Sequence, residues 1–144
     1  MIRALEVYEV TGRPISEWRE QSQYPEPEFS FVQVGLQIER SRLYARIDRR
    51  VDQMLANGLK SEVEKILASG VPPEAPGLKT VGYREMITYL SGKCSWDRTV
   101  TLIKQHTRNF AKRQLTWFRS QTDIIWLDAE APEVALRVLA CVPI

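Results

Sequence analysis

Two segments of this chain have the residue pattern of β-strands, and a long stretch of helical periodicity separates them. Residues 31–38 alternate apolar and polar side chains and are rich in branched types, and residues 124–127 form a short apolar run. Elsewhere apolar residues recur at the spacing of amphipathic helices. Because a pair of strands alone is marginally stable in water, we interpret them as pieces of a larger sheet whose other strands lie outside this chain. The pattern predicts a mostly α-helical chain with about two short strands.

Start and stop signals give the expected helix boundaries. Ser16 is expected to cap a short second helix, and Ser95 to cap a long helix that continues to about residue 120. A helix after residue 58 begins either at Leu59 or at a capping box that starts at Ser61. Pro132 is expected in the first turn of the last helix. Residues 22–30 contain two prolines and are predicted to be a loop or linker.

Size and composition indicate a single soluble globular domain. The chain has 144 residues, 44% of them hydrophobic and 26% charged, and a net charge of +2. Two distant cysteines and the lack of a signal-peptide pattern indicate the cytoplasm, and no apolar run is long enough for a membrane span. The sequence has one histidine and no CxxC or HExxH motif, which excludes a zinc site. We expect His106 to be a surface helix residue rather than a catalyst.

The predicted long helix contains a window, residues 98–122, without any Asp or Glu. On a helical wheel, three cations fall within about 40° of Arg108, and apolar residues, including Phe110, Trp117 and Phe118, occupy the opposite arc. We interpret the apolar arc as a core stripe. The cations form what we call the basic ridge: Lys104, Arg108, Lys112 and Arg119. A merely solvated helix usually mixes signs, so the pattern favours binding to a polyanion, most simply nucleic acid, over an ordinary charged face.

Two other groups of residues could bind phosphate. Arg46 and Arg50 share a helix face one turn apart, although a salt-bridge network with neighbouring Asp48, Arg49 and Asp52 is an equal alternative. In the segment 79–84, a glycine at a helix start would let backbone amides approach an anion. An ordinary capped helix start is the alternative there, and from this pattern alone we favour it.

These elements, in this order, resemble the tRNA dimethylallyltransferase family, also called tRNA isopentenyltransferase. The resemblance covers essentially the whole chain up to Asp128, and the motifs that carry it lie within residues 3–14, 43–63, 81–85, 107–119 and 126–128. Its longest and most specific motif is Lys112-Arg113-Gln114-Leu115-Thr116-Trp117-Phe118-Arg119.

The resemblance implies an α/β fold of the P-loop kinase type with a helical insertion. Residues 1–28 would be the end of the insertion and a linker, and residues 29–144 the C-terminal part of the transferase core. The family transfers a dimethylallyl group from dimethylallyl diphosphate to the adenine 3′ of the anticodon in tRNA, which it flips out of the stack. The resemblance also implies nucleotide binding of the ATP-binding P-loop type and a Mg²⁺ cofactor, whose ligands we expect mainly outside this chain.

The resemblance also assigns roles to individual residues. It implies that Arg46 and Arg50 contact the diphosphate. It assigns tRNA contacts to Arg3, Lys79, Thr80, Val81, Gly82, Tyr83, Arg84, Arg108, Lys112, Arg113, Gln114, Leu115, Thr116, Trp117, Phe118 and Arg119.

The sequence also departs from the family pattern. The phosphate-binding loop, the Asp general base and the Thr near the transferred group do not occur in these 144 residues. We therefore expect no catalytic residue here and no prenyl transfer by this chain alone. Exposed apolar surface is expected to bind an N-terminal-half partner chain or a second copy. A non-catalytic RNA-binding module and a self-associating fragment are the alternatives.

Overall fold

The computed structural model describes residues 2–21 and 31–142, and the chain divides into two units, Met1–Phe31 and Val32–Ile144. The first unit contains helices α1 (Ile2–Thr11) and α2 (Ile15–Gln21). Because α2 begins directly after Pro14, Ser16 lies within its first turn, and the predicted Ser16 cap is wrong. The predicted linker at 22–30 lies outside the described residues.

The second unit is mostly helical, as predicted, and contains a two-stranded sheet. Its elements are β1 (Gln33–Gln37), α3 (Arg40–Ala56), α4 (Leu59–Ala68), a 3-10 turn (Pro76–Lys79), α5 (Tyr83–Leu90), α6 (Trp96–Arg119), β2 (Ile124–Asp128) and α7 (Val134–Ala140). No helix among residues 2–21 and 31–142 is long and apolar enough to cross a membrane.

The helix boundaries confirm some of the predicted caps and correct others. The Ser95 side chain accepts a hydrogen bond from the Arg98 amide at 3.4 Å, so the predicted cap of α6 is confirmed. Helix α4 begins at Leu59, because Gly58, with φ of +98°, turns the chain immediately before it. Ser61 therefore lies inside the helix, and the predicted capping box is wrong. Pro132 precedes α7 because Glu133, with φ of +55°, interrupts the helical conformation.

The two predicted strands pair with each other. Strands β1 and β2 are parallel, with Gln33 opposite Ile124 and Gln37 opposite Asp128. Gly35 lies opposite Trp126, and a Cβ added at Gly35 would lie 2.7 Å from Ile124 Cγ2 and 2.8 Å from the Trp126 ring. The strands can therefore pack in this way only with glycine at this position.

The hydrophobic core lies where helices α3 to α6 meet. Its buried side chains are Val51, Leu59, Val63, Met86 and Ile103. On α6 the buried residues, Thr99 and Ile103, belong to the N-terminal half of the helix.

The aromatic residues of α6 do not occupy this core, so the predicted core stripe is wrong for them. Phe110, Trp117 and Phe118 are 48%, 60% and 42% exposed. Trp117 and Phe118 pack edge-to-face against each other, with ring centroids 4.9 Å apart. A helical wheel shows the direction in which a side chain leaves the helix axis. It does not show where along α6 the core ends.

Candidate nucleic-acid interface

Helices α3 and α6 are joined by a ladder of ion pairs. Asp52 contacts Lys104 at 2.7 Å, and Asp48 contacts Arg108 at 3.0 Å. Residue numbers rise along α3 as they fall along α6, so the two helices run antiparallel. The acids that balance the acid-free window therefore lie on another helix. The Lys104 and Arg108 side chains are only 24% and 32% exposed, so they do not point outward as the basic ridge predicted.

The other half of α6 retains cations without carboxylate partners. The residue one turn before Asp48 on α3 is Tyr44, which is not acidic. Within the part of the chain that the structure describes, Lys112, Arg113 and Arg119 form no ion pair. The positive charge available to a ligand is therefore concentrated in the C-terminal half of the helix.

Lys112 and Arg119 line a cavity of about 770 Å³ next to the carboxyl ends of the two strands, which we call the strand-end cavity. Arg40 and Tyr44 of α3 also line it, and the Arg40 Nε–H donates to the Tyr44 hydroxyl at 3.0 Å. Glu130 lines it as well, so its charge is mixed. The carboxyl ends of parallel strands are where open α/β sheets usually bind ligands.

Arg46 and Arg50 share a helix but have different surroundings. Arg46 contacts Glu130 at 2.8 Å, and Arg42 bonds to the same carboxylate. Arg50 forms no ion pair among the described residues. The alternative network with Asp48 and Asp52 is not formed, because those acids pair with α6 instead.

A second cavity, of about 680 Å³, lies between α3, α6 and the chain around the start of α5, and we call it the basic cavity. Its charged lining residues are Arg50, Lys79, Arg84 and Arg113, with His106 beside them, and no carboxylate occurs among its described lining residues. Three segments that are far apart in sequence thus bring their cations to one cavity.

The structure separates the other predicted tRNA residues. Thr80 and Val81 line the basic cavity, whereas Gln114, Leu115 and Phe118 line a cavity of about 500 Å³ against the sheet. The Tyr83 hydroxyl donates to Glu62 on α4, and this hydrogen bond raises the pKa of Tyr83.

Three further predicted residues do not line the basic cavity. Thr116 donates to the Lys112 carbonyl at 3.0 Å and lines the strand-end cavity, and Trp117 is exposed. Arg3 is an exposed residue of the first unit.

Glu85 organises the start of α5. Its carboxylate is 4% exposed and accepts hydrogen bonds from the Gly82 amide, from the Arg84 guanidinium and from His106 Nδ1, each at 2.7 Å. Burial raises the pKa of Glu85, but these hydrogen bonds outweigh it, and the pKa is lowered overall. The Gly82 amide is thus already bonded, which is the capped helix start that we favoured over an anion site.

We predicted His106 to be a surface residue of a helix, and it is a partly exposed residue of α6. Its side chain is 33% exposed, and the 2.7 Å contact with Glu85 joins α6 to α5. Asn109 and Phe110 also line the basic cavity, and sequence reasoning missed both. A polar residue beside an aromatic one in a basic window could have indicated them, but the helical wheel assigned Phe110 to the core.

Potential metal-ligating side chains are not clustered in the part of the chain that the structure describes. No group of three or more His, Cys, Asp or Glu side chains in residues 2–21 and 31–142 could hold a metal ion.

Comparison with known proteins identifies the family. The family model described as IPP transferase matches residues 1–121. The chain belongs to the IPP transferase family. The resemblance that the sequence motifs indicated is thus confirmed.

Individual IPP transferase relatives agree. A tRNA dimethylallyltransferase of Symbiobacterium thermophilum is 47% identical, over 95% of this chain and 42% of that protein. Another, of Pelotomaculum thermopropionicum, is also 47% identical, over 98% of this chain and 46% of that protein. The crystal structure of a Staphylococcus epidermidis tRNA isopentenylpyrophosphate transferase, 34% identical, superposes with a TM-score of 0.70 over 96% of this chain and 45% of its own. The chain thus spans less than half the length of these relatives and matches their C-terminal part.

Proposed function

We propose that this chain is the tRNA-gripping part of a tRNA dimethylallyltransferase. The reaction would join the dimethylallyl carbon to the exocyclic amine of the adenine 3′ of the anticodon, with loss of an amine proton and departure of diphosphate. The observation that carries the proposal is the convergence of Arg50, Lys79 and Arg113 on one cavity without an acid. Unpaired cations on one face attract the phosphates of a nucleic acid.

The ion-pair ladder divides the cations of α6 between two roles. Lys104 and Arg108 hold α6 to α3, whereas Lys112, Arg113 and Arg119, which form no ion pair among the described residues, would meet phosphates. Arg108 would contact tRNA only by exchanging Asp48 for a phosphate.

Arg46 is our candidate for the diphosphate of the donor. Its partner Glu130 lines the strand-end cavity, so a diphosphate that enters there would compete with Glu130 for the guanidinium. Arg50 lines the basic cavity instead, and we assign it to tRNA phosphate rather than to the donor.

The proposal is tested by tRNA binding measured at several salt concentrations. Lys112→Ala and Arg113→Ala should each weaken binding and lower the slope of log K against log salt by about 0.7 to 0.9, because each removes about one phosphate contact. Lys65→Ala, on α4, and Arg98→Ala, about 22 Å along α6 from Arg113, are matched controls that should leave binding unchanged. If all four variants bind tRNA with the same affinity and the same salt dependence, the proposal that these residues bind tRNA is refuted.

The transferase assignment also predicts what this chain cannot do alone. Because these residues contain no phosphate-binding loop, the purified chain with Mg²⁺, dimethylallyl diphosphate and tRNA should give no labelled tRNA. Turnover by the chain alone would contradict this. A chain that binds RNA but shows no preference for tRNA would favour the second candidate, an RNA-binding module.

An N-terminal-half partner chain or a second copy belongs to the same proposal, together with a cytoplasmic location. The sheet supports a protein partner, since Leu36 and Ile125 are 55% and 43% exposed. Light scattering of the purified chain measures its molar mass and so shows whether two copies associate. If the chain is a monomer at all concentrations, the partner would be a different chain.

A further inference from the structure

The basic cavity contains more than a phosphate groove requires. Phe110 lines it and is 48% exposed, and the Arg113 guanidinium carbon lies 5.7 Å from the centroid of its ring. Val81 and Met54 add apolar surface. Cations alone would suffice to bind a sugar-phosphate backbone, so the apolar and aromatic part of the lining calls for a different ligand group.

A hydrogen-bonding side chain stands next to the aromatic ring. Asn109 precedes Phe110 on α6, is exposed, and makes no side-chain hydrogen bond within the residues that the structure describes. An amide side chain offers both a donor and an acceptor, the combination that pairs with the edge of a nucleobase. Phe110 and Asn109 therefore present a stacking surface and an edge contact side by side.

The cations complete a site for a whole nucleotide. Arg50 and Lys79 belong to α3 and the 3-10 turn, and neither forms an ion pair among the described residues, so both are available to a phosphate. A volume of about 680 Å³ lies within the range of small-ligand pockets, about 300 to 1,000 Å³. An aromatic ring can stack only on a base that has left its helical stack, which favours a single-stranded RNA loop over a duplex.

We infer that the basic cavity holds one unstacked nucleotide of the bound RNA, with its base against Phe110 and Asn109 and its phosphate at Arg50 and Lys79. The inference rests on the proposed function. This nucleotide is not the adenine to be modified, because the diphosphate candidate Arg46 bonds to Glu130, which lines the strand-end cavity and not the basic cavity.

Removal of single bases from an RNA tests this inference. The probe is a short, fluorescently labelled single-stranded RNA with the anticodon-loop sequence, together with a series in which each member lacks one base but keeps its phosphate. With the unaltered chain, one abasic position should weaken binding about 5- to 150-fold, the range for loss of one base–aromatic stack. In Phe110→Ala that position should no longer matter, because the stacking partner is already absent.

Two further variants serve as controls for this experiment. Phe110→Leu keeps an apolar side chain on the surface of α6 but removes the ring, so it should lose the same coupling even if Phe110→Ala perturbs the fold. Phe31→Ala removes another exposed phenylalanine, one that does not line the cavity, and should leave the penalty of the abasic position unchanged. Equal abasic penalties with and without the Phe110 ring would overturn the inference.

The outcomes separate this inference from the proposed function. If RNA binding depends on salt and on Lys112 but no abasic position couples to Phe110, the cavity binds phosphate only and the nucleotide site is refuted alone. If the chain binds no RNA at any salt concentration, both the nucleotide site and the tRNA grip are refuted.

Discussion

Removal of the Glu85 carboxylate should destabilise the second unit more than the loss of any surface acid. The carboxylate is 4% exposed and accepts hydrogen bonds from Gly82, Arg84 and His106. In Glu85→Ala these donors lose their common acceptor. The start of α5 and its connection to α6 should both weaken, because Glu85 bonds to groups on each.

The size of the effect follows from the exposure of each partner. Loss of the cap on the Gly82 amide costs about 1 kcal/mol. The hydrogen bond to His106, with a charged and buried acceptor, contributes about 1.5 to 3 kcal/mol. The Arg84 side chain is 55% exposed, so solvent screening reduces its pair to less than about 1 kcal/mol. The total free energy of unfolding lost is about 3 to 4 kcal/mol, since water that enters the space recovers part of the sum.

Urea unfolding followed by circular dichroism measures this loss. With a slope of about 2 kcal/mol per M, the midpoint should fall by about 1.5 to 2 M. Glu85→Gln, which keeps one acceptor oxygen, should lose about 1 to 2 kcal/mol. The matched control is Glu64→Ala on α4, whose partner Lys60 lies 3.5 Å away on an exposed helix face, and it should lose less than about 0.5 kcal/mol.

The same substitution has a pH signature. The pKa of Glu85 is lowered from its model-peptide value of 4.5, so its contribution to stability is complete above pH 4.5 and is lost as the pH falls through the lower folded-state pKa. Glu85→Gln cannot titrate and should flatten this part of the stability profile below pH 4.5. If Glu85→Ala and Glu64→Ala unfold at the same urea concentration, the hydrogen bonds of Glu85 do not hold α5 to α6.

Two other substitutions test the packing that positions the cavities. Gly35→Ala places a methyl group against Ile124 and Trp126 and should cost about 1 to 3 kcal/mol, with a lower Tm and altered Trp126 fluorescence; an unchanged Tm would show that the strands are not so close. In a double-mutant cycle with Asp48→Ala and Arg108→Ala, the coupling should stay below about 1 kcal/mol and fall with salt, because both side chains are about one-third exposed. A coupling above about 2 kcal/mol would show a desolvated pair instead.

Local signals were sufficient for most of the secondary structure. Ser95 capped α6 as predicted, because the hydrogen bond of an N-cap depends on residues within one turn. The strands β1 and β2 were also located correctly. Their parallel pairing with each other was not predicted, because register is set by contacts such as Gly35 against Trp126, which only the folded chain brings together.

The candidate site shows the same limit more sharply. Within one helix, Lys104 and Arg108 are indistinguishable from Lys112, because all three lie on the same side of the wheel. Their surroundings on α3 differ. Lys104 pairs with Asp52 and Arg108 with Asp48, whereas Lys112 lines a cavity together with Tyr44. A stretch of sequence without acidic residues therefore shows how many cations it contains. It does not show which of those cations form ion pairs with acids on another helix.

The division of α6 gives its two halves different physical tasks. The N-terminal half buries Thr99 and Ile103 and pairs Lys104 with Asp52 of α3, so its position is fixed before any ligand binds. In the C-terminal half, Arg113 forms no ion pair within residues 2–21 and 31–142 and lies beside the exposed ring of Phe110. A cation that gives up no existing ion pair when it meets a phosphate keeps more of the electrostatic gain for binding, and a rigid helix adds little ordering cost. The aromatic exposure that contradicts the expected core stripe is then what allows this half of the helix to take up a base.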